Sequence, residues 1–139
     1  MGEASEGTAT DPCRVLIVED DADQGRLIAD LLRDEGLEPR VVTNGRAGLA
    51  VLRDWLPRVL LLDLLLPDMD GAAFRAAQLG MAARRDIPVI LLSATPARNI
   101  RAQVEVLEAA AGFEKPFDIE ELLDTVLRVC GRAPDGLSA

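Results

Sequence analysis

The chain has 139 residues, a formal net charge of −9 and 49% hydrophobic residues, which together predict one compact domain with a substantial core. The negative charge argues against a nucleic-acid surface, because phosphate contacts need a basic stripe. No apolar run reaches the length of a membrane span and the N-terminus lacks the apolar stretch of a signal peptide, so we expect a cytoplasmic protein without membrane insertion.

The counts of three residue types narrow the possible chemistry. The chain contains no histidine, which excludes His-based catalysis, a phosphohistidine carrier role and His-ligated metals. Cys13 and Cys130 show no CxxC or zinc spacing, so we expect two reduced, half-buried thiols. Lys115 is the single lysine among 15 basic residues, and every other one is arginine.

Strand-like and helix-like segments alternate between two polar ends. Residues 1–12 predict a disordered leader, residues 13–131 a folded domain and residues 132–139 a short loose tail. The predicted strands are RVLIV (14–18), EPRVVT (38–43), RVLLLD (58–63), IPVILLSA (87–94) and GFEK (112–115). The predicted helices are ADQGRLIADLLRDEG (22–36), NGRAGLAVLRDW (44–55), DGAAFRAAQLG (70–80), PARNIRAQVEVLEAA (96–110) and DIEELLDTVLRVC (118–130).

Capping residues mark the ends of these helices. Asp21, Asn44 and Asp118 are predicted N-caps, Pro96 fits the first position of the fourth helix, and Gly36 fits the end of the first. Five successive strand–helix units predict an α/β fold, a doubly wound parallel sheet with helices on both faces. Continuous apolar runs in the first, third and fourth strands are typical of strands buried on both sides.

Polar residues stand at the carboxyl ends of the predicted strands, where ligands bind in such folds. Glu19 and Asp20 follow the first strand, and Asp63, Ser93 and Lys115 end the third, fourth and fifth. Carboxylates brought this close repel each other. A bound Mg²⁺, which prefers oxygen ligands, would offset this repulsion. Asp63, placed within six leucines, is therefore predicted to be a nucleophile that forms an aspartyl-phosphate. Lys115 and Ser93 would stabilise the transferred group.

Four motifs give the chain a family resemblance. VLIVEDD, LLLDLLLPDMDG, IPVILLSA and EKPF occur in this order between residues 14 and 117. In this pattern the chain is similar to the receiver domain of two-component response regulators, including the stand-alone chemotaxis type. The resemblance implies a flavodoxin-like five-stranded sheet with strand order 2-1-3-4-5. It also implies a phosphoacceptor signalling protein, not an enzyme, that assists its own phosphorylation and dephosphorylation.

The resemblance assigns roles to the residues around the phosphoryl group. Asp63 would be the phosphoacceptor and a Mg²⁺ ligand, Asp20 a direct ligand, and Glu19 a ligand through water. The backbone carbonyl of Leu65 would complete the protein ligands of Mg²⁺. Leu65 and Thr95 would flank the path of the water that hydrolyses the aspartyl-phosphate, and both are poor at orienting a water molecule.

The same resemblance makes Ser93 the switch hydroxyl and Lys115 the ammonium that pairs with phosphate. Counting back from Lys115, the aromatic switch position of the family falls on Gly112, with Phe113 one place later. Either the switch lacks its aromatic ring, or the fifth strand is shifted by one residue and Phe113 serves. Glu108 stands where the family has the glycine that closes the fourth helix, so this helix end is also expected to differ.

The implied partners follow from the implied reaction. A sensor histidine kinase or a histidine phosphotransfer protein would supply the phosphoryl group, and an unknown downstream protein would receive the signal by contact or onward transfer. A weak homodimer through the face between the fourth and fifth helices is also compatible with the resemblance. The alternative is a receiver that acts as an interaction module without phosphorylation.

Two further classes fit less well. A haloacid-dehalogenase-type phosphatase needs a second aspartate where Leu65 stands. An FMN-binding flavodoxin needs a Ser/Thr/Gly-rich loop after the first strand, where EDDAD would repel phosphate.

Overall fold

The computed structural model describes residues 12–94 and 97–131. The strands are β1 (Arg14–Val18), β2 (Glu38–Val42), β3 (Val59–Asp63), β4 (Val89–Ser93) and β5 (Ala111–Glu114). The helices are α1 (Ala22–Asp34), α2 (Gly45–Asp54), α3 (Gly71–Leu79), α4 (Ala97–Val106) and α5 (Ile119–Val129). The predictions for the leader up to residue 11, for Thr95 and Pro96 and for the tail from residue 132 lie outside the described residues.

The five strands form one parallel sheet in the order β2-β1-β3-β4-β5, which confirms the predicted fold. Val18 pairs with both Val42 and Leu62, and Asp63 pairs with Leu92. The carboxyl ends of the strands therefore meet at one edge of the sheet. In the part of the chain that the structure describes, no helix is both long and apolar enough to cross a membrane.

Alternate residues of each central strand face opposite layers of helices. Leu61 faces a layer with apolar side chains from α1 and α5, whereas Leu60 and Leu62 face a layer from α2, α3 and α4. All three leucines are fully buried. Burying one such side chain contributes about 1.5–3 kcal/mol, so this strand is held firmly from both sides. Asp63, the next residue, is consequently attached to one of the most constrained segments of the molecule.

The predicted helix caps are present. The side chain of Asp21 accepts hydrogen bonds from two backbone N–H groups of α1, Asn44 accepts one from α2 and Asp118 accepts two from α5. Asp70 is the N-cap of α3 and accepts one hydrogen bond from its backbone. Gly36 follows α1 with a φ of 86°, the left-handed conformation that glycine adopts most readily.

The expectation of reduced thiols is wrong. Cys13 and Cys130 form a disulfide with a Cα–Cα distance of 6.0 Å, and both residues are buried. Cys13 directly precedes β1, and Cys130 is the C-cap of α5. Because β1 and α5 contribute side chains to the same buried layer, these two ends of the domain meet although 117 residues separate them. Local spacing rules for cysteine do not detect a pair that only the tertiary fold brings together.

The C-terminal end of α4 differs from a glycine-closed helix, as expected. Glu108 has a φ of 54°, so a non-glycine residue occupies the left-handed position. The buried Arg75 of α3 donates a hydrogen bond from Nε to the carbonyl of Leu107 at 2.9 Å, and from Nη2 to the carbonyl of Glu108 at 3.4 Å. Arg75 thus satisfies carbonyl groups at the end of α4 and ties this helix end to α3.

Candidate functional site

Glu19, Asp63 and Lys115 converge at the carboxyl edge of the sheet. The ammonium of Lys115 lies 2.8 Å from Oε1 and 3.0 Å from Oε2 of Glu19, and 3.0 Å from Oδ2 of Asp63. Asp20 stands at the exposed side of this group, and one carboxylate oxygen from each of the three acids lies within 4.8 Å of the others. The structure therefore brings together the single lysine and the predicted acidic cluster.

Burial dominates the electrostatics of this cluster. It raises the pKa of Glu19 to about 7, and the neighbouring Asp63 adds to this shift against the opposing hydrogen bond from Lys115. Burial alone would lower the pKa of Lys115, but its hydrogen bonds to Glu19 and Asp63 outweigh this effect and raise the pKa. Lys115 therefore stays charged and compensates only part of the negative charge around it.

The donor set fits a hard divalent cation. Glu19, Asp20 and Asp63 offer carboxylate oxygens around one point, and carboxylates with several waters are the ligands that Mg²⁺ prefers. The Asp63 carboxylate adds to the raised pKa of Glu19, and a cation bound between the two carboxylates would relieve that repulsion.

The loop after β3 adds backbone groups to the site. The N–H of Leu65 donates to Oδ1 of Asp63 at 3.0 Å. Leu65 faces Asp70 across a tight antiparallel turn, in which Leu66 N–H bonds to Met69 and Gly71 N–H bonds to Leu64. This arrangement directs the N–H and C=O of Leu65 away from Asp70, and its N–H reaches Asp63. The Leu65 side chain is 59% exposed beside the site.

The register of β5 places the two switch candidates, Gly112 and Phe113, on opposite faces of the sheet. Gly112 pairs with Leu91, Phe113 pairs with Leu92, and Ser93, which ends β4 and is buried, pairs with Glu114. Gly112 lies under α4, where an added Cβ would come within 2.6 Å of a methyl group of Val104.

Phe113 packs on the opposite layer, with its ring edge-on to Phe117. The shifted register is therefore absent, and the position under α4 holds no ring. The peptide bond between Lys115 and Pro116 is cis.

Asp68, in the loop after β3, makes a contact that the sequence does not predict. Its carboxylate accepts hydrogen bonds from the backbone N–H groups of Gly45 at 2.8 Å and Arg46 at 2.9 Å, at the start of α2. The available signal was the first turn of α2, in which Gly45, Arg46 and Ala47 supply no acidic side chain.

The doubly wound sheet, with three acids and a lysine at its carboxyl edge, defines the class of α/β domain that carries an acidic site at this edge. A family model described as the response regulator receiver domain matches residues 15–127. The chain belongs to this family of two-component signalling domains. Its members interact with histidine kinases or phosphotransfer proteins.

Similar proteins support this family membership. The chain is 37% identical over 121 residues to the sensory transduction protein RegX3 of Mycobacterium tuberculosis, covering 87% of the chain and 52% of the relative. It is 34% identical over 122 residues to the transcriptional regulatory protein PcoR of Escherichia coli, covering 86% and 52%. The chain thus spans about half the length of these two relatives.

Solved structures agree with the fold. The chemotaxis response regulator CheY4 of Vibrio cholerae is 26% identical with a TM-score of 0.78, covering 85% of this chain and 98% of that one. The receiver domain of a signal transduction histidine kinase from Syntrophus aciditrophicus is 30% identical with a TM-score of 0.76, covering 91% and 96%.

Proposed function

We propose that the protein accepts a phosphoryl group on Asp63 from the phosphohistidine of a sensor histidine kinase or a histidine phosphotransfer protein. The signal then leaves by contact with a downstream protein or by onward phosphotransfer. The observation that carries this proposal is the placement of Asp63. Its carboxylate is only 4% exposed at the end of an apolar strand, and it is held between the Lys115 ammonium and the Leu65 N–H.

The reaction would proceed by transfer between nitrogen and oxygen. A carboxylate oxygen of Asp63 attacks phosphorus, the N–P bond of the donor breaks, and the imidazole nitrogen keeps the electron pair. Lys115 stabilises negative charge on the transferred group from the side of β5. Bound Mg²⁺ would supply further charge neutralisation, held by Asp20, Asp63 and the Leu65 carbonyl, with Glu19 acting through water.

The switching step would rely on Ser93 and α4. Ser93 ends β4 one residue beyond the strand partner of Asp63, which suits a hydroxyl that donates to the phosphoryl group. Gly112 offers no ring that could rotate behind it. The response would therefore travel through the β4–α4 connection and α4, whereas Phe113 would respond less.

Phosphate uptake by Asp63 separates this function from a phosphorylation-independent interaction module. The protein is incubated with acetyl phosphate and Mg²⁺ and its intact mass is measured. We expect one phosphoryl adduct that requires Mg²⁺ and is lost in Asp63→Asn. Asp23→Asn, an exposed acid in the first turn of α1, is the matched control and should keep the adduct. Full labelling of Asp63→Asn, or no labelling of the parent, would reject the proposed role.

A weak homodimer through the face formed by α4, β5 and α5 is part of the same proposal. Phe113 and Phe117 line an open cavity of about 360 Å³ on this face, together with Ile100 and Pro116. Sedimentation of the protein with and without beryllofluoride and Mg²⁺ tests it. A concentration-independent monomer in both states would exclude the dimer.

A further inference from the structure

The start of α2 depends on a side chain from a distant loop. An isolated helix leaves its first four N–H groups without partners. In α2, Asn44 accepts from Ala47 N–H at 2.8 Å through its side chain and from Gly48 N–H at 3.2 Å through its carbonyl. The bond from Gly48 is the first intrahelical one, and the N–H groups of Gly45 and Arg46, which lack an intrahelical partner, are satisfied by the carboxylate of Asp68, 22 to 23 residues further along the chain.

The contact has the character of an anion bound at a helix N-terminus. The hydrogen bonds from Arg46 and Gly45 lower the pKa of Asp68, although its side chain stays exposed. The positive end of the helix dipole favours this charge further. Gly45 permits the close approach, because an added Cβ would lie 2.5 Å from Sδ of Met69, the residue after Asp68.

The loop held in this way is the turn that carries the backbone of the candidate metal site. Pro67 and Asp68 form its tip, and hydrogen bonds from Leu66 N–H to the Met69 carbonyl and from Gly71 N–H to the Leu64 carbonyl close it. At its base, Leu65 donates to Asp63. The tip is therefore fixed by α2 and the base by β3, so the orientation of Leu65 between them is defined from both ends.

We propose that Asp68 is a positioning residue for the metal and phosphoryl site. Its carboxylate binds the start of α2 and so holds the β3–α3 loop in one position. The Leu65 carbonyl, and the hydrogen bond from Leu65 N–H to Asp63, are therefore in place before Mg²⁺ binds. The inference rests on the proposed function of Asp63 and adds a residue that touches neither the metal nor the phosphoryl group.

Two variants separate positioning from simple helix capping. Asp68→Ala removes the hydrogen bonds to Gly45 and Arg46, whereas Asn44→Ala removes the other cap of the same helix and leaves the loop untouched. Both should lower the stability of the protein to urea. Only Asp68→Ala should speed hydrogen exchange at the Leu65 amide in the metal-free protein and weaken Mg²⁺ binding, by about tenfold, as expected for groups that orient metal ligands.

The measurements are amide exchange by NMR and a Mg²⁺ titration followed by amide shifts at Asp20 and Asp63. Asp68→Asn keeps an acceptor oxygen but not the charge. Its Leu65 exchange rate and its Mg²⁺ affinity should therefore lie between those of the parent and of Asp68→Ala. Equal Leu65 exchange and equal Mg²⁺ affinity in Asp68→Ala and Asn44→Ala would reduce Asp68 to a helix cap and overturn the inference. A parent protein that does not bind Mg²⁺ would instead overturn the proposed function, while Leu65 exchange in the metal-free state still tests Asp68.

Discussion

At the residue scale, Glu19 links the site to pH. Its pKa is raised by burial from the ordinary value of 4.5 to about 7 in the folded protein. Folding therefore favours its protonated form. The contribution of Glu19 to stability is complete below the unfolded pKa, decreases as pH rises and is lost once pH passes the folded pKa.

We predict that the metal-free protein loses stability relative to Glu19→Gln as the pH rises from about 5 to about 8. In the parent, added Mg²⁺ should restore more stability at the upper end of this range, because the metal competes with the proton for the same carboxylate. Urea unfolding at several pH values with and without Mg²⁺ measures both effects. If the free energy of unfolding changed with pH in the same way in the parent and in Glu19→Gln, the raised pKa of Glu19 would be contradicted.

Leu65 offers a second prediction at this scale, for the lifetime of the phosphorylated state. Its apolar side chain is 59% exposed beside Asp63 and provides no hydrogen bond that could orient an attacking water. Excluding water from a reactive intermediate slows its hydrolysis. We expect the aspartyl-phosphate to last many minutes, and Leu65→Asn to shorten this by about tenfold, equivalent to about 1.4 kcal/mol of barrier.

Decay of the phosphorylated mass after removal of acetyl phosphate measures this lifetime. Leu65→Met, which keeps the side chain apolar, is the control and should decay at the parental rate. An unchanged rate in Leu65→Asn would show that this residue does not gate the water.

At the element scale, α4 packs directly on the backbone of β5. An added Cβ on Gly112 would come within 2.6 Å of Val104 Cγ2 and 2.8 Å of Ile100 Cγ1, both on α4. The helix thus occupies the space above β5 that a side chain would fill. Its C-terminal end is held separately by Arg75, so displacement at Gly112 should move the middle of the helix most.

We predict that Gly112→Ala destabilises the protein by about 1–3 kcal/mol through overpacking and shifts the amide resonances of α4. Gly80→Ala is a matched control, because the nearest atom to an added Cβ there lies 3.4 Å away and the backbone is already helical. Urea unfolding and amide NMR provide the readout. If Gly112→Ala proved as stable as Gly80→Ala, with unchanged α4 resonances, the close packing would be refuted.

The elements were predictable wherever a local signal specifies them. Apolar runs located the strands, and Asp21, Asn44 and Asp118 located helix starts, because a cap acts within its own first turn. The parallel sheet then followed from the alternation of elements, and it brought Glu19 and Asp63 to one edge.

The features that escaped prediction join residues far apart in sequence. Asp68 contacts residues of α2 that lie 22 to 23 positions earlier in the chain. The residues around Asp68 are typical of a turn and do not indicate that contact. Which of Gly112 and Phe113 lies under α4 could be decided only from the pairing of β5 with β4, since a shift of one residue exchanges the two faces of a strand.

At the scale of the whole molecule, the disulfide closes the domain at the edge opposite to the site. Cys13 precedes the amino end of β1 and Cys130 follows α5, whereas Asp63 lies at the carboxyl end of β3. A cross-link over 117 residues restricts the unfolded chain strongly, and for loops of this length the chain-entropy model gives nearly 5 kcal/mol. Its effect should fall on global stability and leave the geometry around Asp63 unchanged.

We therefore predict that reduction, or the double substitution Cys13→Ala and Cys130→Ala, lowers the free energy of unfolding by about 2–5 kcal/mol. Mg²⁺ affinity should stay within about twofold of the parent, since neither sulfur contacts the site. Urea unfolding with and without dithiothreitol measures the change in the free energy of unfolding. The double variant has no disulfide to reduce, so its stability should not change with dithiothreitol, and it controls for other effects of the reductant. Free thiols are also counted in the urea-unfolded, unreduced protein, where two reactive thiols would mean that the disulfide does not form. Weaker Mg²⁺ binding in the folded double variant would mean that the two edges of the sheet are coupled.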